Sequence, residues 1–358
     1  MAAPRNRQKE LLMPRWSPFM ALWVAATAQA APEQVPLYRE IKDWVVACDN
    51  LRGCEAISAA DGFDYRPLSL NLQRAAGPRA PLQLSLHYAE AGGYAPLQLD
   101  GRPLASAGRL RLTEEDDGAA LLAEGADAQA VLAELRNASQ LRMDGEREYE
   151  AVVSLSGLSA VLLLMDAVQG RVDTQGALYR PGSRPDSEVP AAPPAPELRA
   201  HPGVTPLSEH ESQVIAAAVM AQTRDQWAEE DMGGEPEAEA YALNEREALV
   251  LIQTWCAAYN CDFAVYRVDR QAPHAQRDLQ LDPLPLGHDG LSGWVSYDSD
   301  SGELAYLYKG RGIADCGEAG SWRFDGARFQ LASFSYLGRC AGRNPGEWPV
   351  LWRVAEPD

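Results

Sequence analysis

Apolar and polar residues alternate with a period of two over much of the first half of the chain. Leucine occupies every second position over residues 68–72 and 82–86, residues 44–48 form a short apolar run, and residues 97–99 lead into Asp100-Gly101. A period of two turns one face of a strand toward a core, and an Asp-Gly pair favours a tight hairpin turn. This pattern predicts a half-buried antiparallel sheet, which Leu110 and Leu112 extend.

Three segments have helical composition or spacing instead. Residues 126–135 are rich in Ala and Leu, and residues 157–168 are apolar on most faces, which predicts a buried helix capped by Ser156. Residues 208–224 begin with Ser208 and Glu211, which have the spacing of a capping box.

The last quarter of the chain is the most aromatic region. After Gly290, aromatic residues recur between short clusters of turn residues, at Trp294, Tyr297, Tyr306, Tyr308, Trp322, Phe324, Phe329 and Phe334. This spacing predicts a meander of short antiparallel strands. The apolar segment 242–265 before it fits either a helix or strands. The chain is therefore expected to have an α+β, strand-rich fold with a few packed helices.

A proline-rich stretch divides this pattern into two parts. Residues 181–206 contain eight prolines, which interrupt backbone hydrogen bonding and favour an extended linker. We therefore predict an N-terminal strand-rich domain over residues 31–180, a linker over 181–206 and a C-terminal strand-rich domain over 207–358. The acidic clusters at residues 114–117 and 229–231 are expected to be solvated loops.

The first thirty residues have the pattern of a secretory signal peptide. Four basic residues precede a short apolar run at residues 19–26, and Ala28-Gln29-Ala30 supplies small residues for cleavage. The apolar run is shorter than the ~20 residues that a membrane span requires. We therefore predict export to the periplasm, with no membrane span after cleavage.

Charge narrows the range of partners. The full chain has 32 basic and 51 acidic residues, a net charge of -19, and without residues 1–30 it has 28 and 50, a net charge of -22. Such acidity argues against nucleic acids and anionic lipid surfaces as partners.

Six cysteines fall into three pairs that are close in sequence: Cys48 and Cys54, Cys256 and Cys261, and Cys316 and Cys340. Oxidising compartments favour disulfides, and short loops close at the lowest entropic cost. We predict three disulfides with this pairing. No C-x2-C spacing occurs and the five histidines show no ligand spacing, so no metal site is expected.

Catalytic motifs are missing from the sequence. G-x-S-x-G and the phosphate-binding glycine motifs do not occur, and His210-Glu211 lacks the second histidine of H-E-x-x-H because Val214 occupies that position. Asp298–Gly302 does not match the spacing of a calcium loop and predicts a hairpin turn instead. No catalytic residue and no cofactor are expected. A pair of carboxylates for glycoside hydrolysis cannot be picked out among the 50 acids.

One loop is a candidate binding site. Gly310-Arg311-Gly312 precedes Asp315-Cys316-Gly317. One interpretation is a binding loop in which Arg311 anchors an anion. The favoured interpretation is a turn shaped by an Arg311–Asp315 ion pair and the disulfide, because glycine commonly marks turns.

Several motifs resemble a family of secreted bacterial proteins known as domain of unknown function 1176. The resemblance rests on Trp44–Cys48 with Asp49, Asn50 and Cys54, on Met165-Asp166-x-x-Gln169-Gly170-Arg171, on Ala258-Tyr259-Asn260, on residues 309–317, on residues 322–331 and on residues 348–352. Residues 31–180 are also similar, in the block from Trp44 to Cys54, to the invasion-associated locus B family. These resemblances imply export and no catalytic residue. Among these motifs, we take Tyr259 and Asn260, with Arg311 and Asp315, as candidate binding residues.

The leading hypothesis is a non-enzymatic periplasmic protein that binds a protein or small ligand of the cell envelope. One alternative is a cell-wall or glycan hydrolase that uses carboxylates, which a pair of buried acids with raised pKa in one cleft would favour. Another is an acidic inhibitor of a basic enzyme, because opposite charge accelerates encounter.

Overall fold

The computed structural model describes residues 34–59, 67–88, 95–115, 118–145, 150–227 and 235–355. The predicted signal peptide and the acidic cluster at residues 229–231 lie outside these described residues. Within the described ranges, no helix has both the length and the apolar character that crossing a membrane requires.

The N-terminal half is built mainly from strands. In chain order its elements are β1 (Leu37–Ile41), β2 (Trp44–Cys48), β3 (Cys54–Ser58), β4 (Leu68–Arg74), β5 (Leu82–Tyr88), β6 (Leu97–Leu99), β7 (Arg102–Pro103), β8 (Arg111–Glu115), β9 (Gly118–Glu124), α1 (Ala126–Leu135), β10 (Gln140–Met143), β11 (Val152–Ser154) and α2 (Leu158–Val168).

These strands form two antiparallel sheets instead of the single predicted one. The larger sheet has the order β1-β2-β3-β4-β5-β9-β8, and the smaller has the order β11-β10-β6-β7. The Asp100-Gly101 turn closes the β6–β7 hairpin as predicted, with both residues at positive φ. The Asp100 carboxylate accepts hydrogen bonds from the backbone N–H groups of Ser139 and Gln140. These bonds tie the hairpin to β10 and away from the larger sheet.

The N-terminal core lies against the inner face of the larger sheet. The alternating leucines of β4 and β5 are buried there with the apolar faces of α1 and α2. Helix α2 is buried as predicted, but its N-cap is Gly157 and not Ser156. Gly157 has a positive φ, and a Cβ atom there would collide with the carbonyl oxygen of Ile41. Close packing against β1 therefore decides where this helix begins.

The C-terminal half consists of one helix and a large sheet. Its elements are α3 (Glu209–Trp227), β12 (Glu237–Ala242), β13 (Glu247–Cys256), β14 (Cys261–Asp269), β15 (Gln276–Arg277), β16 (Ser292–Asp298), β17 (Glu303–Lys309), β18 (Gly317–Phe324), β19 (Phe329–Leu337) and β20 (Val350–Trp352).

The C-terminal sheet follows chain order almost without interruption. Its order is β12-β13-β14-β16-β17-β18-β19-β20, with β15 paired to β14, so the predicted meander after Gly290 is confirmed. The segment left undecided by its sequence, residues 242–265, supplies mainly β13 and β14. Helix α3 packs on this sheet through Ile215, Ala216 and Val219. The Ser208 hydroxyl caps it by accepting from the Glu211 N–H at 3.2 Å, whereas the Glu211 side chain pairs with Arg270.

The three predicted disulfides are confirmed, at Cys48–Cys54, Cys256–Cys261 and Cys316–Cys340. The strand-rich α+β fold class is confirmed as well. The prediction for residues 114–117 was wrong in part, because Glu114 and Glu115 end strand β8, where Glu115 pairs with Gly118 of β9. Asp116 and Asp117 lie outside the described residues.

The proline-rich segment contacts both halves. Asp186 accepts the Gly176 N–H, and farther along the His201 ring lies 3.2 Å from the carbonyl oxygen of Phe324. The two halves also touch directly, because Val45 and Ala59 pack with residues of the C-terminal sheet. The boundaries at residues 181 and 206 stay a prediction.

Candidate functional site

The tip of the β13–β14 hairpin is held beside the end of β17. The Cys256–Cys261 disulfide closes the hairpin, and the Ala257 N–H donates to the Asn260 carbonyl oxygen. The Asn260 carboxamide then bonds the Lys309 backbone twice, donating to its carbonyl oxygen at 2.8 Å and accepting from its N–H at 3.0 Å. Asn260 therefore acts as a side-chain extension of the sheet and fixes the hairpin tip in place.

Trp294 stands on the outward face of β16 next to this tip. Its side chain is 62% exposed, yet its ring N–H donates to the Tyr259 carbonyl oxygen at 3.0 Å. The Lys309 ammonium lies 4.8 Å from the centre of the indole ring, which is the geometry of a cation–π contact. The ring is thus exposed to solvent and also held in one position.

The loop between β17 and β18 carries the predicted Arg311–Asp315 pair. The Arg311 guanidinium donates to both oxygens of the Asp315 carboxylate, from Nε at 2.5 Å and from Nη2. The same carboxylate accepts the Gly342 N–H at 3.2 Å, and Cys316 beside it is bonded to Cys340. This geometry agrees with the interpretation of the loop as a turn shaped by the ion pair.

Electrostatics strengthen that pair. Burial alone would raise the pKa of Asp315, but its hydrogen bonds to Arg311 and the positive charge of Arg311 outweigh burial and lower it. The same hydrogen bonds raise the pKa of Arg311. The Nη1 group of Arg311 makes no hydrogen bond within the described residues, so one edge of the guanidinium is available to a ligand.

These features form one area, which we call the recognition surface. It consists of Tyr259, Trp294, Lys309, Arg311 and Ile313. A Cβ atom built on Gly312 would lie 3.6 Å from the Tyr259 ring, which places the two loops side by side. Ile313 adds an aliphatic side chain that is 72% exposed.

The structure therefore brings all four predicted binding residues together. Tyr259 and Arg311 contribute to the recognition surface, whereas Asn260 and Asp315 hold its two loops. Trp294, Lys309 and Ile313 were missed. Trp294 shares one face of β16 with Ser296 and Asp298, so its outward direction was readable from the polar residues two and four positions later.

A possible metal cluster next to this surface has no thiol ligands to offer. Asp315, Cys316 and Cys340 place their ligand atoms within 4.8 Å of one another. Both sulfur atoms are joined in a disulfide, and the Asp315 carboxylate is bound to Arg311.

A cavity of about 220 Å³ lies between the larger N-terminal sheet and the end of the chain. Asp49 and Glu55 line it, and burial raises the pKa of both. Asp49 Oδ1 accepts the N–H groups of Leu51 and Gly53, and Oδ2 pairs with Arg353 at 2.7 Å. Glu55 accepts one hydrogen bond, from the Asn71 amide at 2.7 Å.

Comparison with known proteins assigns the family. A family model described as protein of unknown function (DUF1176) matches residues 38–355. The chain belongs to the DUF1176 family. It is 32% identical to the uncharacterized protein YpfG of Escherichia coli (strain K12), in a match that covers 93% of this chain and 96% of that protein. No solved structure matches the chain.

Two of the motifs by which the chain resembles the DUF1176 family meet at the recognition surface. Residues 258–260 form the hairpin tip, and residues 309–317 form the loop and the ends of the strands beside it. Two other motifs of the resemblance, the block from Trp44 to Cys54 and residues 348–352, supply residues to the lining of the cavity that contains Asp49 and Glu55. The similarity of residues 31–180 to the invasion-associated locus B family stays a prediction.

Proposed function

We propose that this DUF1176 protein is an exported, non-enzymatic binding protein of the cell envelope, and that its recognition surface binds another protein. The signal-like residues 1–30 and the three disulfides support a periplasmic location. The side chains of the recognition surface support a protein as the partner.

The observation that carries the proposal is Trp294. Tryptophan, tyrosine and arginine are the residues most enriched at the energetic centres of protein interfaces, and large exposed apolar side chains that adjoin one another mark interaction sites. Trp294 is exposed but is already held by Tyr259 and Lys309. A partner would therefore bury the ring without an added loss of side-chain freedom.

Local charge favours an acidic region of that partner. Lys309 is cationic, and the guanidinium of Arg311, although its charge is paired with Asp315, has one edge that bonds nothing within the described residues, whereas the chain as a whole is acidic. An inhibitor of a basic enzyme would present acidic groups instead. The recognition surface therefore supports a binding protein more directly than an inhibitor.

The hydrolase alternative draws on one observation, the two acids with raised pKa in one cavity. Glycoside hydrolysis uses two carboxyl groups that reach the substrate. Both oxygens of Asp49 are already bonded to Arg353 and to backbone N–H groups, which is the arrangement of a structural carboxylate. Of these two described acids, only Glu55 has a carboxylate oxygen without a hydrogen bond.

The test is capture of envelope proteins by the chain without residues 1–30, followed by measurement of affinity for the captured protein. Trp294→Ala is expected to weaken binding by about 30-fold, the effect of a central interface residue. Leu163→Ala, which truncates an exposed apolar residue on α2, is the control and should leave the affinity unchanged.

Two results would contradict the proposal. One is that no envelope protein is captured. The other is that Trp294→Ala and Leu163→Ala bind the captured protein equally well. Either result would mean that the recognition surface is not where a protein partner binds.

A further inference from the structure

The outer face of the larger N-terminal sheet carries rows of polar side chains that run across the strands. Glu55 on β3 pairs with Gln73 on β4, Gln73 pairs with Gln83 on β5, and Gln83 pairs with Glu124 on β9. Cross-strand neighbours lie on the same face of a sheet, so these four side chains form one row. Asn71 and Ser85 are opposite each other in the next row.

Two cavities lie side by side along these rows. One, of about 290 Å³, is lined by Asn71, Ser85 and Arg111 among others. The other is the cavity of about 220 Å³ that Glu55 and Arg353 line. Gln73 and Gln83 line both, so the cavities adjoin at these two residues. We call the combined depression the polar groove.

The polar groove crosses five strands, β3, β4, β5, β9 and β8. At the usual strand spacing this corresponds to a length of about 19 Å. Arg353 closes one end, where the C-terminal half meets the sheet, and Arg111 lies toward the other end. The groove is therefore elongated, and Val350 and Arg353 of the C-terminal half line one end of it.

A buried polar atom without a partner distinguishes the groove from an ordinary solvated sheet face. Asn71, which lines the groove, donates from Nδ2 to Glu55, but its Oδ1 atom is buried and has no hydrogen-bond partner in the described structure. Buried polar groups in folded proteins are nearly always hydrogen-bonded, so the groove has one unused acceptor at Asn71.

The side chains of the groove suit a polyhydroxylated ligand. Amides both donate and accept hydrogen bonds, carboxylates accept, and guanidinium groups donate. Sugar hydroxyls do both, and each can satisfy two such partners. The rows repeat at the strand spacing of about 4.8 Å, which is close to the length of one pyranose unit. Arg353 and Arg111 lie at the two ends of the groove and the carboxylates of Glu55 and Glu124 lie between them, so neither sign of charge runs its whole length, which favours an uncharged chain over a polyanion or a polycation.

We propose that the polar groove is a binding site for a linear, uncharged oligosaccharide of about four sugar units, held by Glu55, Asn71, Gln73 and Gln83. The site is separate from the recognition surface and does not depend on it. A protein with both sites would bind a glycan through its N-terminal sheet and a protein through its C-terminal sheet.

The test is titration of the chain without residues 1–30 with two neutral linear tetrasaccharides, cellotetraose and tetra-N-acetylchitotetraose, followed by isothermal calorimetry and ligand-observed NMR. Binding of at least one of them is expected. The double variant Gln73→Ala/Gln83→Ala should weaken that binding by at least tenfold, because it removes the two side chains that line both cavities.

Matched controls show whether sugar binding depends on the polar groove. Gln140→Ala removes an exposed strand glutamine from the smaller sheet and should leave sugar binding within twofold of the parent protein. Trp294→Ala should also leave it unchanged, so a failure of the proposed protein-binding function would not affect this result. Unchanged urea unfolding of the double variant will show that it is folded.

Three outcomes would overturn the proposal. The first is that neither tetrasaccharide binds at millimolar concentration. The second is that Gln140→Ala weakens sugar binding as much as the double variant does. The third is that tetraalanine binds in a manner that depends on Gln73 and Gln83, while sugar binding does not depend on them. The last outcome would assign the groove to an extended peptide.

Discussion

The recognition surface and the polar groove both lie on outward faces of sheets, but their side chains differ in whether they also hold neighbouring loops in place. At the recognition surface, Trp294 bonds Tyr259, Asn260 bonds Lys309 and Arg311 bonds Asp315, so the exposed groups also hold the loops that display them. In the groove, Gln73 and Gln83 are exposed, and neither side chain hydrogen-bonds another element within the described residues. Substitutions at the first site are therefore expected to mix effects on stability and binding, whereas those at Gln73 and Gln83 should affect binding alone.

The largest expected loss of stability follows from breaking the Arg311–Asp315 ion pair of the recognition surface. Arg311→Ala leaves the Asp315 carboxylate, whose side chain is 7% exposed, with a single backbone donor. Removing one partner of a mostly buried pair should lower the free energy of unfolding by about 3 kcal/mol, as measured by urea unfolding.

The matched control is Arg109→Ala. Arg109 pairs with Asp127 at a similar distance, but both side chains are about half exposed, so the loss should be within about 0.5 kcal/mol. Equal losses for the two variants would show that the Arg311–Asp315 pair does not shape the turn, and would favour the anion-anchor interpretation.

The next effect concerns the hairpin tip. Asn260→Ala removes two hydrogen bonds to the Lys309 backbone and should destabilise the protein by about 2 kcal/mol. Asn260→Asp keeps the acceptor but loses the donor, and should fall between the parent protein and Asn260→Ala. If both variants have the same urea midpoint of unfolding as the parent protein, the Cys256–Cys261 disulfide holds the tip and Asn260 does not contribute.

Asp315 at the recognition surface and Glu55 in the polar groove should change the stability of the protein with pH in opposite directions. The lowered pKa of Asp315 means that its contribution to stability is complete above about pH 4 and is lost as the pH falls through the folded-state pKa. The raised pKa of Glu55, which burial causes, means that the folded state holds its proton longer than the unfolded state does. Stability therefore falls as the pH rises from about 4.3 through the folded-state pKa of Glu55.

Urea unfolding from pH 3 to pH 7 checks both signs. Asp315→Asn should flatten the acid side of the profile, and Glu55→Gln should flatten the decline above about pH 4.3. A Glu55→Gln profile parallel to that of the parent would mean that Glu55 is not buried in a way that disfavours its charge.

The smallest expected change in stability follows from substitutions of the two groove glutamines. Gln73→Ala and Gln83→Ala should each change the free energy of unfolding by less than about 0.5 kcal/mol, as for other exposed surface positions. A loss above about 1 kcal/mol in urea unfolding would show that these side chains support the sheet, and would remove the contrast with the recognition surface.

Much of the fold was predictable because it rests on local patterns. The predicted helix over residues 126–135 has the same bounds as α1, and Asp100-Gly101 forms the predicted turn. The start of α2 was not predictable, since Gly157 is required by the approach of Ile41 and not by any property of its own segment. The strand identity of residues 242–265 was likewise undecided, because a short apolar run such as residues 248–252 fits a buried helix as well as a buried strand.

The candidate sites show a similar division. Tyr259, Asn260, Arg311 and Asp315 were selected from their motifs, and the Arg311–Asp315 pair was expected because its members are four residues apart. The Asn260–Lys309 contact joins residues 49 positions apart, and no spacing in the sequence predicts it. The polar groove was missed because each of its strands, read alone, shows only the ordinary polar positions of a half-buried sheet.

The strand-rich fold class, the pairing of the six cysteines and the loop that holds Arg311 and Asp315 could all be read from the sequence. These features depend on alternation, short loop closure and turn residues, all of which act over a few positions. The tertiary structure decided that Trp294 stands beside Tyr259, and that four strands place Glu55, Gln73, Gln83 and Glu124 in one row. Strand order and register bring those residues together, and they are set by packing of the whole core.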